Sequence, residues 1–168
     1  MKNNIAYIIR EMSRITGHPP VKKALQKTVY LIEKKGVDLG FKYILHFYGP
    51  YCSALDHETA ILNAEGIISF NYSQFGHKMN ITSGYENIKS DGLVKDQIDT
   101  IKTVISRYKN ATASDLELLT TALYAYEYTG AKTREAVRDN VKIIKGEKYN
   151  DAEIAWALNE FSFFNIYF

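Results

Sequence analysis

Cysteine is nearly absent from this chain: Cys52 stands alone among 168 residues. A lone cysteine excludes an internal disulfide and suits a reducing compartment, so the expected location is the cytoplasm. Long apolar runs are missing as well. No stretch approaches the ~18 consecutive apolar residues of a transmembrane helix, so no membrane partner is expected. The opening Met1-Lys2-Asn3-Asn4 leads into an amphipathic pattern, with no signal-peptide core. An excess of one charge is also lacking. The net charge of +2 is too small to demand a nucleic-acid partner. Neither Gly-x-x-x-x-Gly-Lys-Ser/Thr nor Gly-x-Gly-x-x-Gly occurs. His46, Cys52, His57 and His77 do not have the paired spacing of zinc ligands, so no metal or other cofactor is expected.

What is present is ordinary globular material with one oddity. A hydrophobic share of 46% and a charged share of 24% allow a real core within 168 residues. The oddity is thirteen tyrosines, whose rings suit cores and interfaces alike. Charge is uneven: residues 1–92 hold eleven Lys/Arg against eight Asp/Glu, and residues 93–168 hold ten against eleven.

The central stretch is Phe41 to Ser53. Its aromatic and apolar residues 41–48 predict a short, heavily buried strand. Gly49-Pro50 should stop that strand after Tyr48, because proline lacks the N–H that a central ladder needs. Ser53 with Asp56 resembles a capping box and should open a helix running to about Ala64. Before this stretch, Ile5, Ile8, Ile9, Met12 and Ile15 predict a first helix. Val21, Leu25, Thr28, Val29 and Ile32 predict a second, started by Pro20 and ended at Lys34-Lys35-Gly36. After it, 67–72 and 77–82 predict a hairpin around Ser73-Gln74-Phe75-Gly76. Further helices are expected around Val94–Tyr108, from a Ser114-x-x-Glu117 capping box, from Thr133, and from Asn150-x-x-Glu153. The fold class is therefore α+β, predominantly α. Residues 1–90 are expected to form a winged helix-turn-helix core, and 91–168 a helical bundle extension packed on it.

Candidate binding residues follow from this order. Lys23, Lys27, Tyr30 and Lys34 share one helix face; the ordinary reading is a solvated face, and the functional one a phosphate-contacting ridge. Lys22, Lys23 and Lys27, with His77 and Lys78 beside the wing tip, are the candidate contacts to double-stranded DNA. The presumed recognition helix, 53–64, has no Lys or Arg and two acids, so sequence preference should be modest unless Thr59 or Asn63 meets base edges. The aromatic C-terminus suggests Phe163, Phe164, Tyr167 and Phe168 as an oligomer or partner contact, with docking on the chain's own helices as the alternative. A Cys52–His46 or Cys52–His57 nucleophilic pair is conceivable. However, no oxyanion site or third group is evident, and a small buried residue at a tight turn is favoured. No catalytic residue is assigned.

Several motifs resemble a known family. They are Lys23-Ala-Leu25-Gln26-Lys27-x-x-Tyr30, Phe47-Tyr48-Gly49-Pro50-Tyr51-Cys52-Ser53-x-Leu55 and Leu62-x-x-x-Gly66-Ile67-Ile68. In the second half they continue as Leu116-Glu117-Leu118-Leu119-Thr120-Thr121, Lys145 and Glu153-Ile154-x-x-Ala157-Leu158. Together these resemble the YwgA-like family of small prokaryotic proteins. More remotely, Leu25-Gln26-Lys27-x-x-Tyr30 and Tyr48-Gly49-Pro50 resemble the Panacea (SocA-like) antitoxin domain. The resemblance implies a winged-helix-like core with helical additions and carries over no catalytic residues. The expected function is a non-enzymatic DNA-associated regulator, with a protein-interaction module such as an antitoxin-like or defence-complex subunit as the alternative. A homo-oligomer or protein partner is expected in either case.

Overall fold

The computed structural model describes residues 2–74 and 76–168. In chain order its elements are α1 (Lys2–Thr16), α2 (Lys22–Lys34), β1 (Ile44–His46), β2 (Gly49–Tyr51), α3 (Ser53–Ala64), β3 (Ile68–Ser73), β4 (Gly76–Ile81), α4 (Lys95–Arg107), α5 (Ala113–Tyr128), α6 (Arg134–Lys145) and α7 (Asp151–Asn159). The class is α+β and mostly helical, with two small antiparallel hairpins. Phe75, expected within the second turn, lies outside the described residues. No described helix is long and apolar enough to cross a membrane.

Two compact units emerge: residues 1–43 with 52–110, and 44–51 with 111–168. These units differ in extent from 1–90 and 91–168: residues 91–110 fall in the first and 44–51 in the second. Helix α4 belongs with the first unit, and the short hairpin β1–β2 with the second.

In the first unit, the apolar stripes of α1, α2 and α3 are buried at the spacing the sequence predicts. Ile5, Ile8 and Ile9, then Leu25, Val29 and Ile32, then Leu55 and Leu62 are at most 1% exposed. Each contributes roughly 1.5–3 kcal/mol by leaving water. Ile101 and Val104 add the buried face of α4, which packs on α1 and α2. Helix α2 begins at Lys22 with Val21 as its N-cap, and ends where Gly36 takes φ +106°, a conformation glycine adopts without strain. Strands β3 and β4 pair from Ile68↔Ile81 to Ser73↔Gly76, and an isolated bridge joins Val21 to Lys78. Gln26 ties α2 to the start of α3. Its amide accepts from the Cys52 N–H at 3.0 Å and donates to the Cys52 carbonyl at 2.8 Å.

The second unit is built on α5, against which α6, α7 and β2 pack. Thr133 caps α6 by accepting from Ala136 N–H at 3.2 Å, and Asn150 caps α7 by accepting from Glu153 N–H at 2.9 Å, both as predicted. Helix α5 is capped two residues earlier than expected, by a reciprocal pair between Thr112 and Asp115. Ser114, already inside the helix, has its hydroxyl near Tyr149.

The central stretch departs most from expectation. Residues 44–48 are exposed, so the heavily buried strand does not exist. The run instead folds on itself: Ile44–His46 pairs with Gly49–Tyr51 across a turn at Phe47–Tyr48. Gly49 at φ +88° supplies the left-handed residue that such a turn needs. Gly49 and Pro50 are buried and form the second strand, not its stop. Ser53 is not the cap of α3 either. Cys52 holds that position without a side-chain cap, and Asp56 pairs with Lys22 at 3.0 Å.

Candidate functional site

The β1–β2 hairpin presents an unusual surface. Ile44 is 64% exposed, Leu45 38%, Phe47 80% and Tyr48 45%. Four large apolar side chains thus lie in water on one short ribbon. Two features hold the ribbon in place. Gly49 and Pro50 are buried, and β2 packs on α5. From the other side, Lys145 Nζ donates to the Phe47 carbonyl at 2.9 Å.

That lysine belongs to a charge cluster in the same unit. Glu117, buried on α5, accepts at Oε1 from Lys145 and from Lys148, each at 2.7 Å. Burial works to raise the Glu117 carboxyl. The hydrogen bonds from Lys145 and Lys148 outweigh it and hold the group below the ordinary glutamate value. The Lys145 side chain is 5% exposed and Lys148 45%, so Lys145 is the lysine that loss of Glu117 would leave as a buried charge. Glu117 therefore fixes Lys145, and Lys145 fixes the turn that carries Phe47.

A second arrangement lies in the first unit, at the start of α2 and the tip of the β3–β4 hairpin. A groove of about 500 Å³ is lined by Val21, Lys22, Lys23, Tyr72, Gln74 and His77 among others. Tyr72 is 78% exposed, and its ring meets His77 edge-on at 4.3 Å. Lys22 sits 4.8 Å above the Phe70 ring while paired with Asp56. Lys23 is exposed, and Lys78 is half-buried on β4. Lys27 is 7% exposed, so the expected ridge of three lysines is interrupted at its middle. Thr59, expected to reach for bases, is 1% exposed and gives its hydroxyl to the Asp56 carbonyl at 2.7 Å. Asn63 remains exposed.

The C-terminal aromatics divide. Phe164 is buried and Phe163 half-buried in a 3₁₀ turn after α7, and Phe168 stacks on Phe161 with centroids 5.3 Å apart. Tyr167, 74% exposed, is the outward member. Docking on the chain's own helices accounts for much of this segment.

Cys52 is 1% exposed and His57 is exposed. No cluster of three or more metal-ligating side chains occurs among the described residues.

No family profile matches the chain, and no curated protein matches its sequence. Two anchoring residues, Gln26 and Glu117, lie in the motifs that carry the resemblance but not among the candidate binding residues. Gln26 gives no local signal, because its partner is 26 positions away. Glu117 does give one: a carboxylate inside Leu-Glu-Leu-Leu, on a helix with few polar faces, must find a cation when it is buried.

Proposed function

We propose that this protein is a non-enzymatic interaction module that binds another protein through the tip of the β1–β2 hairpin. The exposed quartet Ile44, Leu45, Phe47 and Tyr48 carries this reading. Four large apolar side chains left exposed within one short ribbon are costly to leave in water and mark a contact site. Its anchoring by buried Gly49-Pro50 and by Lys145 lowers the ordering cost of association, because the aromatic anchors are already held. The occupant it fits is a protein partner with an apolar recess that takes Phe47. The motif likeness to an antitoxin domain is in keeping with that.

The test combines two measurements. A photo-reactive phenylalanine analogue at position 47 should give a discrete cross-linked species in cells, absent when the analogue replaces exposed Glu135. The species should disappear in the Ile44→Ser, Leu45→Ser double variant. Sedimentation velocity of the pure chain then tells a second copy from a different partner. A chain that stays monomeric and gives no cross-link specific to position 47 would rule out this function.

Duplex-DNA regulation is the second function the geometry supports, and a specific asymmetry favours it. The first unit holds fifteen Lys/Arg against ten Asp/Glu, and the second six against nine, so their charges are +5 and −3. A winged-helix mode of docking would bring Lys22, Lys23, His77 and Lys78 to the phosphates, with Tyr72 beside them. Fluorescence anisotropy at about 50 and 200 mM salt should then show a steep fall in affinity, and each lost lysine contact should reduce the log–log slope by roughly 0.9. No binding at the lower salt excludes it.

A further inference from the structure

A second cleft of the first unit, separate from the hairpin groove, is lined by the C-terminal half of α1, the Gly17–Pro19 turn, β4, the segment at 86–87 and Lys102 of α4. Its volume is about 810 Å³, within the range of small-molecule sites. Its walls combine organised cations with an unsatisfied donor. Glu11, 2% exposed, clamps two guanidinium groups: Arg10 Nη2 at 2.8 Å and Arg14 Nη2 at 2.7 Å. Burial raises the Glu11 carboxyl, and the bonds from Arg14 and Arg10 more than reverse this, so it stays ionised and holds both arginines in place. Arg10 is consumed by that clamp and by the Ile88 carbonyl at 2.6 Å. Arg14 gives Nε and Nη2 to the same clamp, at 3.2 and 2.7 Å, but its side chain is 60% exposed and among the described residues its Nη1 has no hydrogen bond. Lys102 lines the same cleft without an ion-pair partner among the described residues. Asn80 Nδ2 is buried there with no acceptor. A buried donor left unpaired in a native fold is matched by a group the chain does not supply, such as a water or an anion. His18 and Asn87 add polar edges, with Ile81 and Pro19 as apolar wall. The lining acids are few: Glu11 is neutralised, and Glu86 accepts from the Gly84 N–H at 2.8 Å.

From the juxtaposition of Arg14, Lys102 and the unpaired Asn80 amide we infer that this cleft binds a phosphate-bearing anion of up to nucleotide size. Phosphate is the acceptor-only group that a guanidinium, an ammonium and an amide N–H can share, and a site with this much room also takes an organic body. The phosphate can belong to a free monoester or to a nucleic-acid backbone. This inference does not depend on the β1–β2 hairpin.

Calorimetric titration of the full chain with inorganic phosphate, adenosine monophosphate and a random duplex tests it. Saturable binding of the monophosphate, tighter than that of inorganic phosphate, supports a free monoester. Binding of the duplex alone supports the same chemistry with the backbone as source. In either case Lys102→Gln should weaken binding about tenfold, the worth of one charge-assisted hydrogen bond. Asn80→Asp, which turns the donor into a negative acceptor, should abolish it, and Lys109→Gln, exposed in the turn after α4, should change nothing. Lys102→Gln is the deciding variant because it breaks no contact of the fold, whereas Arg14→Gln also loosens the Glu11 clamp. Failure of all three probes to bind, or binding that both Lys102→Gln and Asn80→Asp leave unchanged, overturns the inference.

Discussion

Single side chains anchor more here than their positions in the sequence announce. Glu117 is the clearest case. Glu117→Gln removes the counter-charge of a lysine that is 5% exposed, and breaking such a pair should cost about 3 kcal/mol in urea denaturation. The effect has a definite pH sign. The folded carboxyl is held below the unfolded value of 4.5, so its contribution is complete above that value and is lost as pH falls through the folded pKa. The gap between parent and variant should therefore narrow below pH 4.5; a gap that stayed constant would show that Glu117 is not ionised in its pocket. Capping residues divide in the same way. Thr133→Ala and Asn150→Ala should each cost about 1 kcal/mol, while Ser53→Ala should be nearly silent because its side chain caps nothing. Thermal melts of the three variants check this, and a large loss from Ser53→Ala would contradict the assignment of Cys52 as N-cap.

Elements in this chain are held by a few distant contacts rather than by intrinsic preference. Helix α3 has no side-chain cap, so its start depends on Gln26 satisfying both backbone groups of Cys52. Gln26→Leu leaves the buried Cys52 N–H unpaired and the Cys52 carbonyl with only the longer bond from the Asp56 N–H at 3.3 Å, and should cost about 1–3 kcal/mol. Hydrogen exchange offers a local readout, with the first turn of α3 losing protection before the rest of the unit does. The β1–β2 hairpin behaves oppositely at its two ends. Phe47→Ser, at a site 80% exposed, should leave stability almost unchanged, whereas Gly49→Ala forces a side chain into φ +88° and should destabilise by about 1 kcal/mol or more. Equal losses from both substitutions would mean that Phe47 is packed, and the interaction surface would have to be sought elsewhere.

At the scale of the whole chain, the C-terminal segment gives the corresponding prediction. Removing residues 167–168 takes away one exposed ring and one partly stacked ring, and should lower stability only slightly. Removing 161–168 also deletes buried Phe161 and Phe164, and should cost several kcal/mol. Chemical denaturation of the two truncations separates a self-docked tail from a free one. If both were neutral, the tail would be available for association after all.

What the sequence determined by itself was local. Helices α1 through α7 and the β3–β4 hairpin follow from apolar spacing and from caps or stops such as Thr133, Asn150, Gly36 and Gly66, whose partners lie within a turn of the chain. Exposed Lys23 and the turn-side His77 were within reach of the same reasoning. Tertiary structure alone decided the rest. Periodicity does not tell a buried apolar run from one that folds back into a hairpin, so 44–48 read as core and stands in water. Lys27, charged on an otherwise polar face, read as exposed and is buried. The pairing of Glu117 with Lys145 and the Gln26 clip on Cys52 each depend on distant segments meeting, 28 and 26 positions apart. The separation of charge into +5 and −3 appears only once the segment carrying α4 joins the first unit. The physical reason is one of range. Backbone propensity and capping act over a few residues, whereas burial and charge pairing are settled by segments tens of residues apart.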